Sequence, residues 1–253
     1  MNARATRAGP RSREGIARRF AAAAGLSAAA FFGTSATPAK AQVGAVLSVF
    51  SDDRFRGISL SDGRPVGILD LSYDSPSGLY AAISGSVVAT RHEGARALGL
   101  SVNAGYAARV RTGLTADFGV SYSRYSHYSD VAGSRAYTEF YAGLTGRYLG
   151  GRLAVSPNYL GVARWTLRGE IDGHVDVTPR LFLDGDVGVL IPAGRNGYSG
   201  NSRPQFDARI GLARRIGALT FHAAVTTRGN GRDIYASRAH GRTAFVVGVS
   251  TAL

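Results

Sequence analysis

The sequence predicts an all-β protein: an antiparallel transmembrane β-barrel of about twelve strands that follows a cleaved N-terminal signal peptide. Three observations carry this prediction. The chain begins with a basic segment and a short apolar run, its remainder alternates apolar and polar side chains with a period of two, and clusters of glycine and polar residues interrupt that alternation at regular intervals. Successive side chains of a strand point to opposite faces, so each segment has one apolar and one polar face.

The first 41 residues have the organisation of a bacterial export signal. Six arginines precede residue 20 with only Glu14 as an acid, an apolar run covers residues 21–32, and Ala39 and Ala41 form an A-x-A site. A basic region, a short apolar core and a small-residue cleavage site are the parts of a secretory signal peptide. The apolar run of 12 residues is too short to span a bilayer as a helix. We therefore expect a signal peptide over residues 1–41 and a barrel domain over residues 42–253.

The net charge of +13 has two sources. The predicted signal contributes +6, from six Arg and Lys40 against Glu14, and the remainder contributes +7, from 23 Arg against 16 acids. A nucleic-acid binder would gather its basic residues into a patch or stripe. Here they are spread along the chain, so no nucleic-acid partner is expected. The absence of Cys excludes a disulfide framework, a thiolate metal site and a cysteine nucleophile.

The segment from Leu114 to Ser123 shows the alternation most clearly, with Phe118 on the apolar face and Asp117 on the polar face. Charged residues in the middle of a strand are unusual in a small packed core. A face of apolar residues continued through nearly every segment is typical of a barrel in lipid. A soluble β-sandwich or lipocalin-like barrel gives the same alternation in each single strand, so that alternative stays open at this point.

The connections between segments differ in length. Short connections are predicted at Ser61–Arg64, Asp74–Gly78, Ala108–Gly113, Leu149–Arg152, Pro179–Arg180 and Ile216–Ala218. Longer polar connections are predicted at Arg91–Arg96, Tyr125–Arg135, Pro192–Pro204 and Gly229–Arg242. Short turns at one end and longer loops at the other are typical of outer-membrane barrels.

Residues 51–62, with the sequence SDDRFRGISLSD, resemble the opening signature of the TorF-type porins of proteobacteria. Pro65, Tyr73 and the segment from Gly78 to Ser86 are similar to the strands that follow it in that family. Asp53 departs from the family pattern, which usually has an aromatic residue there, and Leu60 stands where a polar residue is common. The resemblance implies a channel of unassigned substrate in the bacterial outer membrane.

Arg54 and Arg56 occupy alternate positions of this signature, as does Asp52, so we expect them on one face of the first long strand. Asp70 and Asp74 of the next strand are candidate partners. Two roles are compatible: an ion-pair network that holds the wall, and a constriction whose guanidinium groups set a preference for anions. The candidate residues of the lumen are Arg54, Arg56, Asp70, Asp117, Glu139, Arg147, Arg168, Glu170, Asp172, Asp184, Asp186, Asp207 and Arg209.

The predicted function is porin-like passive diffusion of small hydrophilic solutes through this charged lumen, with a structural, adhesive or lipid-modifying barrel without an open pore as the alternative. Ser126, His127 and Asp130 are close only in sequence, so we predict no catalytic site. His174 lies among acids, where a salt-bridge ladder is favoured over a metal site because residues two apart on a strand are too widely spaced to chelate one ion. No cofactor is expected.

Three kinds of partner follow from these predictions. Outer-membrane lipid would surround the barrel, and basic residues between Arg228 and Arg242 would meet lipopolysaccharide at its rim. The alternating terminal segment from Phe245 to Leu253 is typical of the signal that the barrel-assembly machinery reads. Small hydrophilic solutes would occupy the lumen.

Overall fold

The computed structural model describes residues 41–91, 93–126, 135–161, 165–193, 204–229 and 243–253. Within these ranges the chain forms β-strands and one short 3-10 helix, Tyr159–Gly161. None of the helices among the described residues is long and apolar enough to cross a membrane. The strands are β1 (Gln42–Phe50), β2 (Arg54–Phe55), β3 (Ile58–Ser59), β4 (Val66–Asp74), β5 (Leu79–Thr90), β6 (Gly94–Arg111), β7 (Leu114–Tyr125), β8 (Arg135–Thr145), β9 (Leu149–Ser156), β10 (Trp165–Thr178), β11 (Leu181–Ala193), β12 (Gln205–Ile216), β13 (Leu219–Arg228) and β14 (Thr243–Ala252).

Twelve of these strands form a closed antiparallel barrel, in the order β1-β14-β13-β12-β11-β10-β9-β8-β7-β6-β5-β4. Each strand pairs with its neighbours along the chain, and β1 closes the barrel against β14 with Val46 opposite Ala252 and Phe50 opposite Gly248. Closure leaves no unpaired strand edge, which a barrel in hydrocarbon requires. The predicted all-β class and the predicted number of twelve barrel strands are confirmed.

The wall has an apolar outer face and a polar inner face. The outward side chains of Leu69, Phe118 and Ile210 are 41–61% exposed, whereas the inward carboxylates of Asp117 and Asp207 are more than nine-tenths buried. A soluble barrel or sandwich would place its apolar face inside and its polar face in water. Here the apolar side chains face outward and the polar side chains face inward, which is the distribution of a barrel that is surrounded by lipid. The structure therefore favours the membrane barrel over the soluble alternative.

The two ends of the barrel differ. One end, which we call the short-turn end, carries the connections 75–78, 112–113, 146–148, 179–180 and 217–218. The opposite, long-loop end carries 51–65, 91–93, 126–134, 157–164, 194–204 and 229–242. Two predicted short connections are wrong. Residues 149–152 lie within β9, because the turn closes earlier with a hydrogen bond from Gly146 N to Leu149 O, and residues 61–64 belong to the long-loop end.

Candidate functional site

Residues 51–62, which we call the mouth hairpin, fold inside the long-loop end of the barrel. Their strands β2 and β3 pair with each other and form a separate sheet of two strands. The ring of Phe55 lies 5.6 Å from that of Tyr125 on β7 and 6.2 Å from that of Tyr137 on β8, measured between centroids. Gly57 packs closely against the carbonyl of Thr227 on β13. Because well-separated strands of the wall contact it, the hairpin lies within the mouth.

An apolar cluster anchors the mouth hairpin to the wall. Phe55, Ile58 and Leu60 are each more than nine-tenths buried. Burial of such a side chain contributes about 1.5–3 kcal/mol. They pack in one cluster with Phe50, Val66, Ile68, Val88, Leu98, Tyr137, Tyr159, Leu160, Leu190 and Val246, which come from most of the circumference of the barrel.

The carboxylate of Asp52 organises the base of the hairpin. It accepts hydrogen bonds from Arg54 Nε at 2.6 Å, from Ser61 Oγ at 2.7 Å, and from the Ser59 hydroxyl. The backbone of Asp53 is held in turn, because its N–H donates to Ser61 Oγ at 3.0 Å and its carbonyl accepts from Leu60 N at 2.8 Å. Local polar contacts of this kind give a segment of twelve residues a defined shape.

The tip of the hairpin is a two-residue loop, Arg56–Gly57, with φ values of 52° and 74°. Two successive left-handed residues are the mark of a type I′ turn, which normally has Asn-Gly at these positions. A residue with a Cβ in this region costs about 1–2 kcal/mol. Arg56 therefore adopts an unfavourable conformation that its tertiary contacts must offset.

Those contacts are formed with β8 and with the 3-10 helix. Arg56 Nη2 donates to both carboxylate oxygens of Glu139, at 2.9 and 2.8 Å, and the two side chains are about nine-tenths buried. The guanidinium carbon lies 4.6 Å from the centroid of the Phe55 ring and 5.1 Å from that of Tyr159. Both distances are in the range of cation–π attraction. This salt bridge joins the hairpin tip to the wall.

A second ion-pair network lines the wall from β10 to β12. Arg168 forms a two-point salt bridge with Asp207, Nη1 to Oδ1 at 2.7 Å and Nη2 to Oδ2 at 2.9 Å. Its Nε and Nη2 also donate to Glu170 Oε2, at 3.0 and 2.7 Å. Arg209 pairs with Asp184 on the neighbouring strand. The planar guanidinium of Arg168 holds both carboxylates at once and thereby links β10 to β12 across β11.

A third network faces the lumen between β5 and β9. The hydroxyl groups of Tyr80 and Tyr141 lie 2.7 Å apart, and Tyr80 donates to Asp117 Oδ2 at 3.2 Å. Arg152 Nη2 lies 3.3 Å from the same oxygen, and its guanidinium stacks 4.5 Å from the centroid of the Tyr141 ring. The buried carboxylate of Asp117 is thus neutralised and hydrogen-bonded.

A cavity of about 30 Å³ separates the hairpin tip from the two networks. It has room for about two water molecules. Hydroxyl, amide and charged groups line it, so the narrow space next to the hairpin is hydrophilic. The lining residues are Arg56, Ser101, Asn103, Ser121, Ser123, Tyr137, Glu139, Tyr141, Arg152, Ala154, Arg168 and Glu170.

The predicted placement of the signature is wrong in one respect. Arg54 and Arg56 do not continue the first strand of the wall, which ends at Phe50. They lie on the mouth hairpin, where Arg54 pairs with Asp52 and Arg56 with Glu139. The chain leaves the wall after Phe50, and the left-handed Arg56–Gly57 turn then reverses its direction inside the mouth.

The structure places most of the other predicted residues of the lumen on the inner face. Asp172 and Asp186 are direct cross-strand partners on β10 and β11, and Asp70 lies inward on β4 opposite Ser84. Arg147 is the exception. It lies exposed in the turn 146–148, where its guanidinium stacks 5.0 Å from the Tyr148 ring, so its predicted place in the lumen is wrong. The inner face also holds Asp117, Glu139, Arg168, Glu170, Asp184, Asp207 and Arg209.

Sequence reasoning missed several residues of the site. Tyr80, Tyr141 and Arg152 build the network around Asp117, and Asp53 lies at the base of the hairpin. The alternation of apolar and polar residues does predict that the side chains of Tyr80 and Tyr141 point inward. Arg152 was missed because a turn was predicted at residues 149–152, whereas this residue lies within β9.

The alternative chemical sites are only partly described. Ser126 donates to the carbonyl of Leu98 at 3.1 Å. His127 and Asp130 lie outside the described residues, as does most of the basic run from Arg228 to Arg242. His174 Nε2 lies 2.9 Å from Asp176 Oδ1, two positions further along the same strand. Among the described residues no group of His, Asp and Glu could hold a metal ion.

A closed twelve-stranded barrel with an apolar outer face and a charged lumen defines a porin-like barrel of the outer-membrane class. The chain belongs to the family described as "Bacterial protein of unknown function (Gcw_chp)", whose sequence profile matches residues 34–250. The more specific likeness to TorF-type porins remains a resemblance. The predicted signal peptide lies almost entirely outside the described residues and remains a prediction.

Two porins are among the solved structures with a similar fold. The NanC porin has a TM-score of 0.52 and 13% identity, with 82% of this chain and 98% of that chain covered. The KdgM porin has a TM-score of 0.49 and 13% identity, with the same coverage. At such low identity the likeness shows the fold alone. No protein with a curated description matches the sequence.

Proposed function

We propose that this protein is a channel of the bacterial outer membrane that lets small hydrophilic solutes diffuse passively, with the mouth hairpin as its constriction. One observation carries the proposal: an inner face of charged and hydroxyl groups runs inside a wall whose outer face is apolar. Buried polar groups are costly, and a barrel that only needed stability would not require so many. A hydrophilic lumen serves solutes that carry a hydration shell.

We expect the mouth hairpin to form the narrowest part of this path. A barrel of twelve strands has a lumen only moderately wider than the filled interior of an eight-stranded barrel. The hairpin and its partners Tyr137 and Glu139 occupy the mouth, and they leave the small cavity already described. We therefore expect solutes to be limited in size by the hairpin rather than by the wall.

The charges favour cations over the anions that the signature alone suggested. Both signature arginines are paired with carboxylates, so their positive charge is largely neutralised within the hairpin and its contact to β8. On β10 and β11 the acids Glu170, Asp172, Asp184 and Asp186 outnumber the nearby Arg168 and Arg209. An acidic stretch of pore wall attracts cations and repels anions.

Liposome swelling with the purified full-length chain tests the proposal. Vesicles that contain the folded barrel should swell in an isotonic pentose and swell more slowly as the sugar becomes larger. Folding is checked independently by the shift in gel mobility on heating. Folded protein in the vesicles with no swelling in any sugar would contradict the channel.

The second candidate is a structural or lipid-modifying barrel without an open pore. The small size of the described cavity next to Arg56 favours it. The swelling experiment separates the two candidates, because only the channel permits flux. The lipid-modifying version would additionally need a clustered set of catalytic groups.

If the protein lies in the outer membrane, two further partners are expected: the barrel-assembly machinery and lipopolysaccharide. The terminal strand β14 presents Phe245 and Val247 outward, 66% and 45% exposed, as a strand recognised by the barrel-assembly machinery would. Deletion of residues 245–253 should abolish insertion into the membrane. The basic residues between Arg228 and Arg242 would contact lipopolysaccharide, whose phosphates attract guanidinium groups.

A further inference from the structure

The short-turn end of the barrel is strongly basic. Four of its five connections carry or adjoin arginines, whereas its acids are Asp74 and Asp176. Asp176 is engaged by His174. All five connections of this end lie among the described residues. Its arginines, here named the arginine collar, are Arg109, Arg111, Arg147, Arg180, Arg214 and Arg215.

The collar contains a cavity of about 440 Å³ at the point where the turn 179–180 meets the end of β12. Arg180, Arg214 and Arg215 line it, and none of its lining residues is acidic. Leu181 and Ile216 supply an apolar side. The backbone of this region is fixed, since Arg215 N donates to the carbonyl of Arg180 at 2.9 Å. The guanidinium of Arg215 packs 5.5 Å from the centroid of the Phe182 ring, so Arg180 and Arg214 are the basic groups that this site offers beside its apolar surface.

The position of Arg214 relates this cavity to the lipid. Arg214 lies two residues from both Leu212 and Ile216 along β12 and therefore shares their face, and these two side chains point outward and are 44% and 55% exposed. Arg214 therefore lies on the lipid-facing side, at the last turn of the strand. A charged residue on that face is strongly unfavourable at the bilayer midplane but tolerated near the interface. At the interface, the groups next to the Arg214 side chain would be lipid headgroups.

We propose that this cavity binds the phosphate of an anionic phospholipid, with Arg180 and Arg214 as its principal ligands and the rest of the collar as a long-range attraction. Guanidinium groups donate two parallel hydrogen bonds to a phosphate, and clusters of basic residues at a membrane surface select anionic lipids. Leu181 and Ile216 would contact the start of the acyl chains. The inference rests on the membrane insertion in the proposed function but not on conduction.

Lipid retention by the purified full-length barrel, measured by native mass spectrometry, tests this site. The probes are phosphatidylglycerol, phosphatidylcholine and inorganic phosphate. The variant R180Q/R214Q removes both ligands. The variant R91Q/R96Q removes two exposed arginines from the opposite end and is the matched control for net charge.

The wild type and R91Q/R96Q should retain phosphatidylglycerol in preference to phosphatidylcholine, and R180Q/R214Q should bind it about tenfold more weakly. Equal retention of phosphatidylglycerol by all three proteins would overturn the site. Inorganic phosphate that displaces the lipid at equal concentration would show a phosphate site and overturn the assignment to lipid. A barrel that conducts but lacks the preference contradicts only this inference, whereas a protein that never enters vesicles contradicts the proposed function.

Discussion

Arg56 and Glu139 join the tip of the mouth hairpin to β8 through a salt bridge in which one guanidinium nitrogen contacts both carboxylate oxygens, at 2.9 and 2.8 Å. The two residues are 83 positions apart in the sequence. The bridge is buried and is enclosed by the rings of Phe55 and Tyr159. This contact holds the hairpin tip, with Arg56 in its left-handed conformation, across the mouth of the barrel. Substitution of either partner therefore tests the position of the hairpin.

Removal of one partner of this bridge should release the hairpin. E139Q leaves the buried Arg56 without its counter-charge, which costs about 3 kcal/mol for a buried pair. We expect greater single-channel conductance and faster proteolysis at residues 54–59. R96Q is the matched control, because the Arg96–Glu93 pair is exposed and contributes little. Identical proteolysis of E139Q and the wild type would refute the role of the bridge.

The glycine at the hairpin tip should be irreplaceable. Gly57 has φ +74°, and a Cβ there would lie 2.9 Å from the Thr227 carbonyl oxygen. G57A therefore combines a backbone cost of about 1–2 kcal/mol with a steric clash. Gly63 has φ +68° and open space around it, so G63A carries the backbone cost alone. Proteolysis of the hairpin should increase in G57A well beyond G63A; equal effects would show that the packing against β13 is unimportant.

Packing of the hairpin in the mouth of the barrel, which we call the seated state, should become less stable relative to the released hairpin as pH rises from about 4 to about 7. Burial, and then the charges of Asp52 and Asp70, raise the pKa of Asp53 from 3.8 to about 7. The seated hairpin consequently binds a proton that the released hairpin has lost in this window, so its stabilisation is complete below pH 4 and is lost as pH passes 7. Conductance measured between pH 4 and 8 should rise.

The variant D53N tests that assignment. It removes the titrating group while it keeps the size of the side chain, so its conductance should be nearly independent of pH over the same range. E93Q, which removes an exposed carboxylate of the long-loop end, should retain the pH dependence of the wild type. Persistence of the full dependence in D53N would assign it to another group.

Much of the fold was readable from the sequence because a barrel wall obeys one local rule. The period of two placed Asp117, Glu139 and Asp207 inward, and all three are inward in the structure. The same rule failed at the signature, where Arg54 and Arg56 alternate but the chain reverses between Phe55 and Ile58. Gly57 was a signal for that turn, since two-residue hairpin loops favour glycine at their second position.

The contacts of the site could not be predicted in the same way. The Arg56–Glu139 bridge depends on how far the hairpin enters the mouth, which no local pattern encodes. The Tyr80–Tyr141 pair likewise depends on the register of strands β5 to β8 around the barrel. Such contacts follow from closure of the barrel, and their residues are far apart in the chain.

The acids of β10 and β11 should set the preference for ions. D172N/D186N removes two directly opposed carboxylates from the lumen wall. The ratio of cation to anion permeability, obtained from the reversal potential in a KCl gradient, should fall in this variant. E93Q at the exposed rim should leave the ratio unchanged. A preference for anions in the wild type would contradict the proposed solute class while leaving the channel itself intact.

The central claim is a hydrophilic channel that the mouth hairpin constricts, and single-channel conductance of a hairpin deletion tests it most directly. Asp53 O and Leu60 N are hydrogen-bonded at 2.8 Å, so two glycines in place of residues 54–59 can close the chain without strain in the wall. The account predicts that this variant, folded by the criterion of heat-modifiable gel mobility, conducts several-fold more than the wild type. Equal conductance of the two folded proteins would contradict it.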